Sequence, residues 1–205
     1  ETLAAATGIL IHGSDKFSSI GNKKSAGTKL VCFDSFFNNP GVYEIDMCTP
    51  MKKIINEIGG GFNKPVKALQ IGGPLGGVVP IEEVEKLNLD FQEFANAGFM
   101  LGHGSIVSIP KDFSMVNYIY HLFKFSAEES CGKCFPGRLG SYRGKEMFDQ
   151  VINKSHKIPL KLLNELLITM KKGSLCALCG AIPVPIMNIL KYFSDEIKND
   201  ILQEK

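Results

Sequence analysis

The sequence predicts an α+β chain in two parts, a compact unit built on a mixed sheet followed by an all-α four-helix bundle. Three observations predict it. Residues 26–110 hold most of the glycines and four short β-type runs. From Met115 onward, apolar residues recur at helical spacing instead. Two Cys-x-x-Cys pairs, Cys131/Cys134 and Cys176/Cys179, fall in the loops that the helical pattern leaves open.

Taken in order, the first 25 residues read as a lead-in segment, and with Glu1 in place of Met the chain reads as a piece of a longer protein. The runs "KLVCF", "GVYEID", "KALQIGG" and "SIVSIP" are strand-like. Between the second and third lies "TPMKKIINEIGGG", an amphipathic helix with Met51, Ile54, Ile55 and Ile58 at helical spacing and glycines to stop it. Strand, strand, helix and further strands suggest one α+β unit over 26–112. The texture changes between Pro110 and Ser114. In "MVNYIYHLFKFSAEES", Val116, Ile119, Tyr120 and Phe123 share a face. "RLGSYRGKEMFDQVINK", "PLKLLNELLITMKKG" and "PVPIMNILKYFSDEIKNDILQ" complete a set of four helices over 113–205, with the end, "DEIKNDILQEK", as a solvated helix terminus. Short connections imply antiparallel neighbours, hence a four-helix bundle.

Composition narrows the function. With 205 residues, 44% hydrophobic, the chain can bury a core. A net charge of +2 implies no basic face for nucleic acid. The longest apolar stretch, Leu175 to Leu190, is too short for a bilayer and is broken by Pro183 and Pro185, so no membrane insertion is expected. With no secretion signal either, the expected compartment is the cytoplasm. "GGPLGG" lacks the Lys-Ser/Thr and the strand-loop-helix setting of a phosphate loop and reads as structural turns. His12, His103, His121 and His156 are scattered, and no Ser-His-Asp or paired-carboxylate set is visible.

The cysteines carry the chemistry. Cys32 and Cys48 lie singly in apolar surroundings and read as ordinary buried thiols. The two pairs read differently. In an up-down-up-down bundle, the loop after the first helix and the loop after the third lie at one end, so Cys131, Cys134, Cys176 and Cys179 are expected to meet. Four such thiolates could hold a redox-silent zinc or an iron-sulfur cluster that carries one electron at a time, or could act as a dithiol pair. The surrounding "CFPG" and "CALCGAIPVP" are apolar, which favours a cluster shielded from water. Lys133 and Arg138 stand as counter-charges or as exposed helix-start residues.

Several of these stretches resemble one family. "ESCGKCFPGRLG", then "SLCALCG" about forty residues on, then "PVPIMNILKYFSDEI", is similar to the C-terminal part of the flavin- and NADH-binding subunit of respiratory complex I. The same type of subunit occurs in soluble NAD-dependent formate dehydrogenases and hydrogenases. "GSYRGKE" is closer to those soluble enzymes. "AGTKLVCF", "NNPGVYEI" and "IGGPLGGVVP" resemble that family's β-grasp module of the soluble-ligand-binding type, and "ETLAAA" resembles the edge of its flavin domain, with Thr2 at a flavin-contacting position. The resemblance implies a 4Fe-4S cluster in this chain, and FMN and NAD(H) in an upstream domain. It implies electron transfer from that flavin to partner iron-sulfur subunits of a larger NAD(P)H:acceptor oxidoreductase, with no NADH turnover by this chain alone. The rival is a non-catalytic docking module whose four-cysteine site holds zinc or nothing.

One departure matters. The family pattern is Cys-x-x-Cys-x-x-Cys plus one distant cysteine, and here the third position is Gly137. Cys176 matches the distant cysteine, and Cys179 stands where the soluble relatives have glycine. Either Cys179 supplies the ligand that Gly137 lacks, or it packs as a buried thiol beside Ile182 and Val184.

Overall fold

A computed structural model describes residues 1–154 and 156–202. It is a mixed α/β structure with one five-stranded sheet. The chain divides into two compact units, one formed by Glu1–Gly73 with Val79–Lys111, the other by Pro74–Val78 with Asp112–Lys205.

The first unit opens with two helices, α1 (Thr2–His12) and α2 (Ser14–Ser18), where the sequence suggested only a lead-in. Neither helix buries a residue, and Leu3, Leu10 and Ile11 of α1 are exposed. The absence of a buried face is why no amphipathic period is readable there. Strands β1 (Thr28–Phe33) and β2 (Gly41–Asp46) form an antiparallel hairpin. Helix α3 (Met51–Lys53) then runs into a π-helical turn, Ile54–Ile58, and buries Met51, Ile54 and Ile55. Strands β3 (Val66–Ile71) and β4 (Gly77–Pro80) follow, then α4 (Ile81–Val84), α5 (Phe91–Asn96) and β5 (Ser105–Pro110). The strand order is β2-β1-β5-β3-β4. β5 runs parallel to β1, pairing Cys32 with Ser105, and antiparallel to β3. The four expected strands are all present, and β4 adds a fifth. Helices α4 and α5 are additions too. Each is only a turn or so long, too short to show a period, and α5 is fixed by its cap, where Asp90 accepts from the N–H groups of Gln92 and Glu93.

The second unit is helical. Helix α6 (Met115–Glu129) is capped by Ser114, whose hydroxyl accepts from Asn117 N–H, and its buried stripe is Met115, Val116, Ile119, Leu122, Phe123, Ser126 and Ala127. After the first cysteine pair comes a π-helical turn, Pro136–Gly140, continuous with α7 (Ser141–Lys154). A two-residue strand, β6 (Ile158–Pro159), leads into α8 (Leu160–Gly173), which buries Leu163, Leu167 and Met170. After the second pair come α9 (Ala177–Ala181) and α10 (Pro183–Tyr192). Helix α6 packs on α7 and α10, α8 packs on α10, and the π-turn packs on α8.

The last expected helix is not continuous. It breaks at Phe193, restarts as α11 (Ser194–Ile197), and ends in β7 (Ile201–Leu202), which pairs in parallel with β6. Ile201 is buried, and the Ile158 N–H donates to the Asp200 carbonyl. The end of the chain, read as a solvated helix terminus, is thus tied into a ladder as far as Leu202, and residues 203–205 lie outside the described residues. Among the described residues no helix is long and apolar enough to cross a membrane.

Two glycines let the π-turn and α7 approach their neighbours. The Phe123 ring of α6 lies so close to Gly144 that a Cβ there would overlap it. That ring is fully buried and stacked on Phe148, centroids 5.9 Å apart, which limits its room to shift. A Cβ on Gly140 would crowd the unbranched Met170 side chain, its Cγ at 2.8 Å, and make ordinary contact with Leu166 Cδ1 at 3.6 Å. Gly144→Ala is therefore expected to cost up to about 2 kcal/mol: overpacking of about 1–3, partly offset by about 1 from the better helix propensity of alanine. Gly140→Ala is expected to be close to neutral. Urea unfolding of both variants checks the contrast; equal costs would show that Phe123 can move.

Candidate metal centre

The site is built from the π-turn and the loop that closes α8. Pro136 starts the turn with a fixed φ and no N–H to lose. Cys134 stands just before it, and its carbonyl accepts from Arg138 N–H. The opening N–H groups of a helical turn have no partner within the turn itself, and one of them, on Gly137, points at the Cys134 thiol. A second donor reaches the same sulfur from the other loop, the N–H of Leu175. Together these hold the Cys134 thiol below its ordinary pKa, the Leu175 bond first and Gly137 next, with a smaller contribution from the Ser174 hydroxyl. Ser174 faces Cys134 closely enough to help, yet its buried Oγ completes no hydrogen bond of full geometry.

Gly137 is the pivot of the site. It is buried, and its carbonyl accepts from the hydroxyl of the fully buried Ser141. A Cβ built on it would lie 3.1 Å from Cys134 Sγ, 3.2 Å from Cys179 Sγ and 3.4 Å from Cys179 Cβ. Two thiols from two distant loops therefore face one small volume, the volume that a side chain at position 137 would need.

The four predicted cysteines stand differently. Cys134 is half-buried, and Cys179, within α9, is 2% exposed. Cys131, in the turn before Pro136, and Cys176, at the N-terminal edge of α9, are both exposed. Cys176 follows Leu175, whose N–H binds the Cys134 sulfur. The fold thus joins Cys134 and Cys179 around Gly137 and brings the backbone beside Cys176 onto Cys134. Among the described residues, no three His, Cys, Asp or Glu side chains are grouped as they would be around a metal ion.

The neighbours are mostly apolar or turned away. Arg138 lies over the Phe135 ring, 5.2 Å from its centroid, and Lys133 is exposed. Thr2 opens α1 and is exposed. One polar group that the sequence reading passed over does meet the site: Ser126 of α6, fully buried, has its Oγ 3.6 Å from Cys179 Sγ. The signal was available, since Ser126 is the one hydroxyl on the buried stripe of α6.

Cys48 differs from the buried thiol expected of it. It adopts a left-handed φ of 67°, and its sulfur accepts from Asn22 Nδ2 at 3.1 Å and lies 3.5 Å from Asp90 Oδ2. Burial and the Asp90 carboxylate push its pKa up, so it is a poor nucleophile.

Residues 117–200 match the family model described as the NADH-ubiquinone oxidoreductase-F iron-sulfur binding region. The NADP-reducing hydrogenase subunit HndC of Solidesulfovibrio fructosivorans is 33% identical over 208 residues, covering 100% of this chain and 42% of the relative. A subunit of the NADH-quinone oxidoreductase of Rickettsia bellii is 32% identical, covering 98% of this chain and 49% of the relative. The mitochondrial NADH dehydrogenase [ubiquinone] flavoprotein 1 of Dictyostelium discoideum is 31% identical, covering 99% and 43%. The chain spans less than half the length of these relatives. A solved structure, an NAD+-reducing [NiFe]-hydrogenase in the H2-reduced state, superposes with a TM-score of 0.86 over 98% of this chain and 34% of its own; at 22% identity this speaks for the fold.

The two facing thiols should react very differently in the metal-free chain. Cys134 is accessible and holds its thiolate more readily than an ordinary cysteine, whereas Cys179 is closed off. Alkylation followed by peptide mass spectrometry should label Cys134 early, with a rate–pH midpoint below that of a free thiol. Cys179 should be labelled only after denaturant is added. Early labelling of Cys179 would show that its loop opens freely.

Proposed function

We propose, for a chain that matches the C-terminal part of the NADH-ubiquinone oxidoreductase-F family, that it is the one-electron exit of an NAD(P)H:acceptor oxidoreductase. In this reading electrons leave a flavin held by an upstream domain and pass, one at a time, to an iron-sulfur partner protein of the same complex. FMN and NAD(H) belong to that upstream domain in this reading, with Thr2 as the one flavin-contacting residue on this chain. The compartment is the cytoplasm.

The finer architecture belongs to the same reading. The strand order β2-β1-β5-β3-β4, with a helix between β2 and β3 and β5 parallel to β1, supports a β-grasp module over 26–112. The packing of α6 on α7 and α10, and of α8 on α10, supports a four-helix bundle over 113–205. Residues 1–25 then form the lead-in from the flavin domain.

The observation that carries the reading is the volume over Gly137, faced by Cys134 Sγ and Cys179 Sγ together. The donor chemistry fits a 4Fe-4S cluster held by Cys131, Cys134, Cys176 and Cys179. When bound, such a cluster takes up and gives up a single electron without bond making to substrate. The chain does the rest. Leu175 and Gly137 N–H groups hold Cys134 towards its thiolate, the form that ligates metal. Gly137 leaves room for the Cys179 sulfur, and α9 fixes Cys176 and Cys179 three residues apart in one turn. Ile182, Ile186 and Phe123, all fully buried, keep water from the unit's interior.

The exposure of Cys131 and Cys176 favours a second reading, a docking module whose site holds zinc or nothing. Metal analysis separates the two, since the first requires a brown protein with iron and acid-labile sulfide and the second a colourless one.

Exchanging the two unusual positions tests the ligand set. After anaerobic reconstitution, Cys179→Gly is expected to lose the stable four-iron cluster. The double variant Gly137→Cys with Cys179→Gly, which returns to the family pattern, is expected to regain it. Iron and sulfide per chain, measured beside Cys131→Ala, give the answer. A full cluster in Cys179→Gly would mean that Cys179 is no ligand, and a parent chain with zinc and no iron would support the docking module.

A further inference from the structure

Ser126 has no structural reason of its own to be polar. It lies on the α6 stripe between Phe123 and Ala127, 0% exposed, where every other buried residue is apolar. A hydroxyl moved from water into such a place costs about 1–3 kcal/mol unless it finds a partner. Other buried hydroxyls of this unit have different fates. Ser141 donates to the Gly137 carbonyl, and Ser174 completes no hydrogen bond of full geometry. The hydroxyl of Ser126 is directed across the helix interface to Cys179 Sγ, 3.6 Å away, within range for a hydrogen bond to sulfur. In the metal-free thiol form either atom could donate. Once Cys179 is a thiolate it carries no proton, so Ser126 must be the donor.

We propose that Ser126 is a positioning residue that donates a hydrogen bond to the Cys179 thiolate and thereby raises the reduction potential of the centre that this thiolate ligates. This deepens the electron-transfer reading and rests on Cys179 being a ligand. The physical reason is a difference between two charge states. Each added electron increases negative charge on the ligand sulfurs, and a fixed O–H dipole aimed at one of them stabilises the reduced state more than the oxidised state. Ser126 and Cys179 are themselves buried, so the dipole acts on that sulfur with little screening. One electron enters and one leaves; no proton need move, since the hydroxyl keeps its own. The same bond helps to hold the Cys179 sulfur beside Gly137.

The test uses the full chain, reconstituted with iron and sulfide under anaerobic conditions, with parent, Ser126→Ala and Ser126→Cys compared. Cysteine is close to serine in size but a weaker donor. Iron and sulfide content are measured first, then the reduction potential by mediated titration followed by electron paramagnetic resonance. The expected result is equal cluster content in all three and potentials that fall in the order parent, Ser126→Cys, Ser126→Ala. Hyperfine spectroscopy after transfer to deuterated water should also lose one strongly coupled exchangeable hydrogen in Ser126→Ala. Equal potentials and unchanged couplings across the three chains, with full clusters, would overturn the role of Ser126 and leave the electron-transfer reading intact. A Cys179→Gly chain with a full cluster at the parent potential would overturn the role of Ser126 alone, and a parent chain that binds no iron would overturn both. If Ser126→Ala holds no cluster, the decision falls on Ser126→Cys alone: a lowered potential supports the proposal and an unchanged one overturns it.

Discussion

The space over Gly137 is the constraint on which the rest of the site depends. A residue without a side chain there lets the π-turn sit against α9, with the Cys179 sulfur only 3.2 Å from where a first side-chain carbon would lie. Steric exclusion makes the two positions complementary. A side chain at 137 and the present placement of Cys179 compete for the same few ångströms. A glycine and a cysteine forty-two residues apart in sequence lie side by side in space.

The helical core transmits this constraint. Phe123 closes over Gly144 and stacks on Phe148, which sets how near α6 comes to α7. Close approach of those helices is what allows a residue of α6, Ser126, to reach a sulfur held by α9. Met170 of α8 fills the space beside Gly140, which holds the π-turn against α8, and α8 delivers Ser174 and Leu175 to Cys134. Small residues at helix contacts thus fix the position of groups that are polar and few. The arrangement leaves Cys134 primed by backbone donors and Cys179 shut away from solvent, two thiols with different environments in one site.

The chemistry divides in the same way. Under the proposed function this chain moves electrons and leaves hydride chemistry to an upstream domain, a reading that the family match over residues 117–200 supports. Nothing in the described residues needs to bind a dinucleotide for that role. The first unit contributes a mixed sheet with a parallel central pair, and burial and Asp90 push the Cys48 thiol there up in pKa.

The sequence by itself determined the elements with a strong period. The four β-type runs became strands, Met115 to Glu129 became a helix ending where the first cysteine pair begins, and the glycine at 137 and the extra cysteine at 179 were visible as a departure from a pattern. Those features follow from local spacing, which one chain segment carries alone. Helices α1, α4 and α5 were not legible. The first buries nothing, the other two are only a turn or so long, and α5 depends on a cap, so none writes a period into the sequence. The break at Phe193 and the strand at Ile201 depend on pairing with Ile158, more than forty residues away. Only the tertiary structure could decide that Gly137 and Cys179 share one volume and that Ser126 meets the same sulfur. Those contacts are set by how closely helices pack, and helix spacing is fixed by side chains such as Phe123 and Met170 that belong to neither loop.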